Sequence, residues 1–137
     1  MLGNTSDPPL LLDTSVLSLF FKKNTTRAAL YWPDLEGQRL AVSFVTIGEI
    51  HLWAILHHWG QARIAKFEDA LRGMVILPSS DEVARHWALV QSSTRKSAND
   101  AWIAACALTY GCTLVTDDTD FHGIQGLNII SHVNEGR

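Results

Sequence analysis

Apolar residues in this chain come in short blocks, at 10–12 (LLL), 40–42 (LAV), 75–77 (VIL), 113–115 (TLV) and 128–130 (NII). The blocks do not alternate with polar residues, so they predict short strands covered on both faces, as in a parallel sheet. The stretches between them repeat apolar residues at helical spacing and predict helices over 15–21, 25–35, 46–59, 61–72, 81–92 and 99–110. Gly111 stands where a helix C-terminal glycine belongs, whereas Pro33 leaves the end of the second helix open. Strands alternating with helices imply an α/β fold around a mainly parallel sheet of about five strands. With no repeat, low-complexity segment or linker, residues 1–137 are expected to form a single domain.

This pattern places acidic residues. In an open parallel sheet, ligands bind outside the carboxyl ends of the strands. Asp13 ends the first strand, Glu49 falls in the first turn of the helix after the second, and Asp118 lies just past the TLV strand. Asp100 opens the helix that leads into that strand, and such a helix runs antiparallel to the strand it precedes. All four acids therefore belong on one rim. From Glu49, steps of three, four and seven give Leu52, Trp53 and Leu56; from Asp100 they give Ile103, Ala104 and Ala107. Each acid thus falls on a stripe expected to face the core. Helix capping is the simpler explanation for either acid alone, since first-turn carboxylates favour the helix dipole and Ser97 with Asp100 resembles a capping box. Capping does not explain why four converge.

Composition and charge narrow the class. With 47% hydrophobic and 18% charged residues, the chain can bury a proper core. A net charge of −3 announces no nucleic-acid partner, so any such site must be a local patch. Cys106 and Cys112 match no metal or redox spacing and are expected to be reduced and structural, in a cytoplasmic protein. The start, MLGNTSDPPL, has neither the charged nor the apolar region of a signal peptide, and no apolar run is long enough to span a bilayer.

Magnitude then bears on the acids. Two like charges about 4 Å apart cost roughly 4 kcal/mol at an effective dielectric of 20. Several such pairs rival a small domain's whole stability of about 5–15 kcal/mol. Either some carboxyls hold protons or a divalent cation sits among them. Oxygen-only ligands suit Mg²⁺ or Mn²⁺ better than zinc. His51 shares no helix face with Glu49, HEXXH is absent, and His86 and His122 are expected at the surface or rim.

The segments LLDTSVL, SFVTIGEI, NDAWIAACAL and GCTLVTDDTDF resemble, in order and spacing, the successive motifs of PIN-domain ribonucleases, and most of all the VapC toxins of VapBC toxin–antitoxin pairs. The resemblance runs from about Leu11 to Ile130. It implies a three-layer sandwich and a Mg²⁺- or Mn²⁺-dependent endoribonuclease. Carried over, Asp13, Glu49, Asp100 and Asp118 match the family's acids, with Asp13, Asp100 and Asp118 as metal ligands and Glu49 and Asp120 as further candidates. Spacing alone does not choose among the three aspartates of VTDDTDF. The family pattern chooses Asp118, then Asp120, and leaves Asp117 as a surface turn residue. Thr14, Ser15 and Thr116 match the hydroxyls kept near the metal.

A bound divalent ion would activate water and offset charge on the phosphodiester, which would leave a 5′-phosphate and a 3′-hydroxyl. Arg95 and Lys96, with Lys22, Lys23 and Arg27, are candidates for binding RNA. The helix around IGEIHLWAILHHW is apolar nearly all round and reads as an interface; the resemblance implies a homodimer and an antitoxin partner.

Two other classes compete. A haloacid-dehalogenase-type phosphatase needs a second Asp two residues after the first, but Ser15 stands there; a receiver domain needs paired acids and a late strand-end lysine, which are missing. A catalytically inactive RNA-binding or protein-interaction module would keep the fold and lose acids, and here all four positions are acidic.

Overall fold

The computed structural model describes residues 7–22 and 26–135. Five parallel strands form one sheet in the order β3-β2-β1-β4-β5, from β1 (Leu10–Leu12), β2 (Leu40–Ser43), β3 (Val75–Leu77), β4 (Leu114–Val115) and β5 (Ile129–Ile130). Six helices connect them: α1 (Thr14–Leu19), α2 (Arg27–Leu35), α3 (Phe44–Leu56), α4 (Gln61–Arg72), α5 (Asp81–Thr94) and α6 (Ala98–Tyr110). The expected start of the second helix, near residue 25, lies outside the described residues.

Side-chain alternation along each strand divides the core in two. Leu11, Ala41 and Leu114 face α5 and α6, packing on Val83, Val90, Ile103 and Ala107. Leu12, Val42 and Val115 point the other way, onto Val16, Leu17, Tyr31, Ile50 and Phe67 of α1–α4. The result is helix, sheet, helix, as the blocks of apolar sequence implied.

Helix starts follow their caps. Ser43, Ser80 and Ser97 each accept an N–H three residues on, from Thr46 (3.2 Å), Val83 (3.1 Å) and Asp100 (3.2 Å). Gly111 ends α6 in the left-handed conformation, φ 69°, where a side chain would be strained. Pro33 lies inside α2 without breaking it: the helix ends two residues later at Leu35.

Two expectations fail. The edge strand β3 is not covered on both faces, since Val75 and Ile76 are exposed, whereas Ile129 and Ile130 of β5, the other edge, are half-buried against the two cores. The third helix begins at Phe44 rather than near 46, because Ser43 caps it, which puts Glu49 in the second turn.

Candidate active site

The carboxyl edges of β1 and β4 deliver the first two acids. Asp13 leaves β1 with its N–H on the Val115 carbonyl (2.9 Å) and caps α1. Its side chain is only 4% exposed. Oδ1 accepts the Thr14 N–H (2.7 Å), and Oδ2 accepts the hydroxyls of Ser15 (2.7 Å) and Thr116 (2.8 Å). Burial pushes its pKa up to about 6; the three hydrogen bonds pull the other way, and the charge of Asp100 adds to the rise. Because the Thr116 hydroxyl donates to Asp13, its lone pairs are free to accept the Asp118 N–H (3.1 Å). One hydroxyl therefore links Asp13 to the backbone of the β4 loop.

A parallel chain fixes Glu49. The Thr14 hydroxyl donates to Glu49 Oε1 at 2.8 Å. With its proton committed there, Thr14 accepts from the Thr46 hydroxyl (2.8 Å), and Thr46 accepts from Ser43 (3.4 Å). Thr46 and Ile50 are the buried residues of α3, while Leu52 and Leu56 are exposed. The expectation that Glu49, Leu52 and Leu56 share a core-facing stripe is wrong: the core stripe is Thr46–Ile50–Trp53, and Glu49 flanks it. For Asp100 the expectation stands, since Ile103, Ala104 and Ala107 are buried.

Asp100 lies in the first turn of α6. Burial raises its pKa, hydrogen bonding to Ser97 opposes that, and the charges of Asp118, Asp120 and Glu49 raise it further. Carboxylate oxygens of Asp100, Asp118 and Asp120 all lie within 4.8 Å of one another. Asp118 caps a single 3₁₀ turn (Thr119–Phe121), its Oδ1 accepting the Asp120 N–H at 2.9 Å. Asp120 therefore joins the cluster more closely than its second rank in the sequence suggested, and Asp13 and Glu49 lie outside this tight triple. Every donor in the group is a carboxylate, and no cationic side chain is hydrogen-bonded or ion-paired to the triple among the described residues. That donor set fits a hard divalent cation.

Asp117 is not a surface turn residue. Its carboxylate takes Arg27 Nε (2.7 Å) and Nη2 (2.5 Å), and the Tyr31 hydroxyl lies 2.6 Å from it. Arg27 also donates to the carbonyls of His132 (2.9 Å) and Glu135 (2.9 Å). Arg27, expected as a candidate for binding RNA, ties α2 to the β4 loop and the C-terminal segment. His132 completes this side: its N–H donates to Tyr31 Oη (3.0 Å), and its ring nitrogens lie 2.6 Å from Asp34 and from Glu135. Sequence pattern gave no sign of Tyr31, Asp34 or His132, because their partners lie far along the chain. Of the other expected cations, Lys22 and Arg95 are exposed, Lys96 is half-buried, and Lys23 lies outside the described residues.

The chain is similar to known proteins over most of its length. The PIN domain family profile matches residues 10–127. Ribonuclease VapC4 of Mycobacterium tuberculosis is 32% identical over 130 residues, covering 88% of this chain and 95% of that one. VapBC-5 of Mycobacterium tuberculosis, described as a member of the VapBC family of toxin-antitoxin systems, superposes with a TM-score of 0.62 at 26% identity, over 91% of this chain and 98% of that one. The fold alone is matched more closely, with a TM-score of 0.78 at 18% identity over 89% of this chain and 97% of the other, by VapBC2 of Rickettsia felis bound to a promoter DNA fragment. The chain belongs to the PIN domain family, among its VapC ribonucleases.

Proposed function

We propose that this protein is a metal-dependent endoribonuclease and the toxin of a toxin–antitoxin pair, working in the cytoplasm. The observation that carries the reading is the convergence of Asp13, Glu49, Asp100, Asp118 and Asp120 on one edge of the sheet, with Asp100, Asp118 and Asp120 mutually within 4.8 Å. Asp100 and Asp118 would hold a Mg²⁺ or Mn²⁺ ion, with Asp13 and Asp120 completing its surroundings. When bound, such an ion lowers the pKa of water and offsets charge building on the phosphodiester oxygens. Ser15 and Thr116 hold the Asp13 carboxylate in one orientation, and Thr14 does the same for Glu49. Glu49, half-buried and held by Thr14, would take a proton from the water that attacks the phosphorus. The hydroxyls at this edge are committed to carboxylates, Thr14 to Glu49 and Ser15 and Thr116 to Asp13; attack by water would leave a 5′-phosphate and a 3′-hydroxyl.

The partner side of the reading rests on α3. Leu52, Ile55 and Leu56 expose an apolar strip, with Ile55 71% exposed. A strip of that kind on a small domain suits a contact between proteins. A second copy of this chain and an antitoxin are the contacts we propose for it. Among the described residues no helix is long and apolar enough to cross a membrane.

The test is metal exchange. RNA cleavage by the purified protein should stop in EDTA, return with Mg²⁺ or Mn²⁺, and return poorly with Zn²⁺. Full activity in EDTA would rule the mechanism out.

A further inference from the structure

The net charge of −3 conceals a local excess of cations. Arg85 pairs with Asp81, and Arg27 with Asp117. Lys22, Arg63 and Lys66 have no carboxylate partner among the described residues, and they line one open groove of about 690 Å³ together with Phe21 and Ala62. Arg63 is held in place: its guanidinium lies 4.2 Å from the centre of the Trp59 ring, and Nη2 donates to the Phe21 carbonyl at 3.2 Å. Lys66 Nζ lies 5.8 Å from the centre of the Phe21 ring. Cations thus alternate with aromatic faces.

The groove also leads somewhere. Phe21, Lys22 and Arg63 are shared with a smaller cleft that runs inward to Ser18, Ile50 and Trp53. Ser18 donates to the Ser15 carbonyl at 3.0 Å, and Ser15 donates to Asp13. Ile50 follows Glu49. The cleft is therefore walled by α1 and α3, the helices that carry Ser15 and Glu49.

We infer that this groove is a single-stranded RNA track: Lys22, Arg63 and Lys66 take backbone phosphates flanking the cleaved bond, and Phe21, the aromatic that lines the groove, stacks a base. The inference rests on the ribonuclease reading and adds its substrate-binding surface. A flexible single strand matches the groove on both counts, with phosphates for the cations and bases for the ring faces. A paired helix would not, because its bases are stacked on one another.

The test is equilibrium binding in EDTA, which separates binding from cleavage. The probe is a fluorescein-labelled, mixed-sequence RNA of about 12 nucleotides, within the usual span of a single-strand site, and anisotropy is followed across a salt series. Arg63→Gln and Lys66→Gln should each weaken binding and flatten the slope of log affinity against log salt by about 0.7. Phe21→Leu should weaken binding about fivefold or more with the slope unchanged, as expected for lost stacking. Arg85→Gln removes the same charge from a remote ion pair and should change neither quantity.

If Arg63→Gln and Lys66→Gln match Arg85→Gln, the track is wrong. It is equally wrong if their effect appears only with a poly-glutamate peptide in place of RNA, since the groove then belongs to a protein. Salt-dependent RNA binding through these residues, by a wild-type protein that cleaves no RNA with Mg²⁺, would keep the track and overturn the ribonuclease reading.

Discussion

Asp117 and Arg27, ninety positions apart, meet in a two-pronged ion pair with contacts of 2.7 and 2.5 Å. The pair sits directly beside Asp118, and the Tyr31 hydroxyl closes its third side. Neither side chain is far into solvent, with 21% of the arginine and 9% of the aspartate exposed. Removing one partner leaves the other poorly solvated. Asp117→Asn should therefore lower unfolding free energy by about 1–3 kcal/mol, measured by urea titration, and Arg27→Gln should do the same. The double mutant should cost less than the sum of the two singles. A loss within the roughly ±0.5 kcal/mol of ordinary surface changes would mean that the pair is incidental.

Burial of Asp13 gives the metal-free protein a pH dependence of definite sign. Its pKa is pushed up from 3.8 to about 6, so between those values the folded state binds the proton that the unfolded state has lost. Stability falls as pH rises through that window, by about 3 kcal/mol at most, and is level above it. Asp100 is shifted in the same direction, and so is His132, raised first by Asp34. The contribution of Asp13 is isolated by comparison: Asp13→Asn should flatten the profile measured by denaturant unfolding in EDTA from pH 4 to 7. An unchanged profile would assign the dependence to the other groups.

Metal affinity should rank the loop aspartates. Asp118→Asn should weaken Mn²⁺ binding about tenfold or more and slow cleavage, though less than Asp13→Asn does, because an amide oxygen still coordinates. Asp120→Asn should have a smaller effect, since that side chain is exposed. Calorimetric Mn²⁺ titration of the two variants reads this directly, and a greater loss at Asp120 would reverse their roles.

What the sequence revealed depended on how local each signal was. The five strands and six helices follow from apolar blocks and spacing, and α4 matches its expected span of 61–72. The gathering of Asp13, Glu49, Asp100 and Asp118 followed from topology, since strand ends and helix starts of a parallel sheet share an edge. Three features were hidden for want of a local signal. Ser43 set the start of α3, and the face that α3 turns to the core carries Thr46 and Ile50, with Glu49 beside it. The exposure of Val75 and Ile76 follows from strand order, which apolar blocks do not encode. The carboxylate of Asp117 is claimed by a side chain ninety residues earlier, so its neighbours in VTDDTDF said nothing of its role.

The apolar strip of α3 predicts an association that can be broken without unfolding. Ile55→Lys adds charge at an exposed position and should leave unfolding free energy within about 0.5 kcal/mol. In sedimentation or light scattering it should shift the protein toward monomer, or weaken its complex with an antitoxin co-expressed from the same operon. Unchanged assembly in both assays would remove α3 from the interface.

Hydrolysis of RNA by the carboxylate cluster with a divalent ion is read from the new RNA 5′ ends formed on incubation with Mg²⁺, sequenced for wild-type protein and for Asp13→Asn. Discrete new ends bearing a 5′-monophosphate are expected with the wild type, and none with Asp13→Asn or in EDTA. Ends bearing a 5′-hydroxyl, or cleavage by Asp13→Asn near the wild-type level, would contradict it.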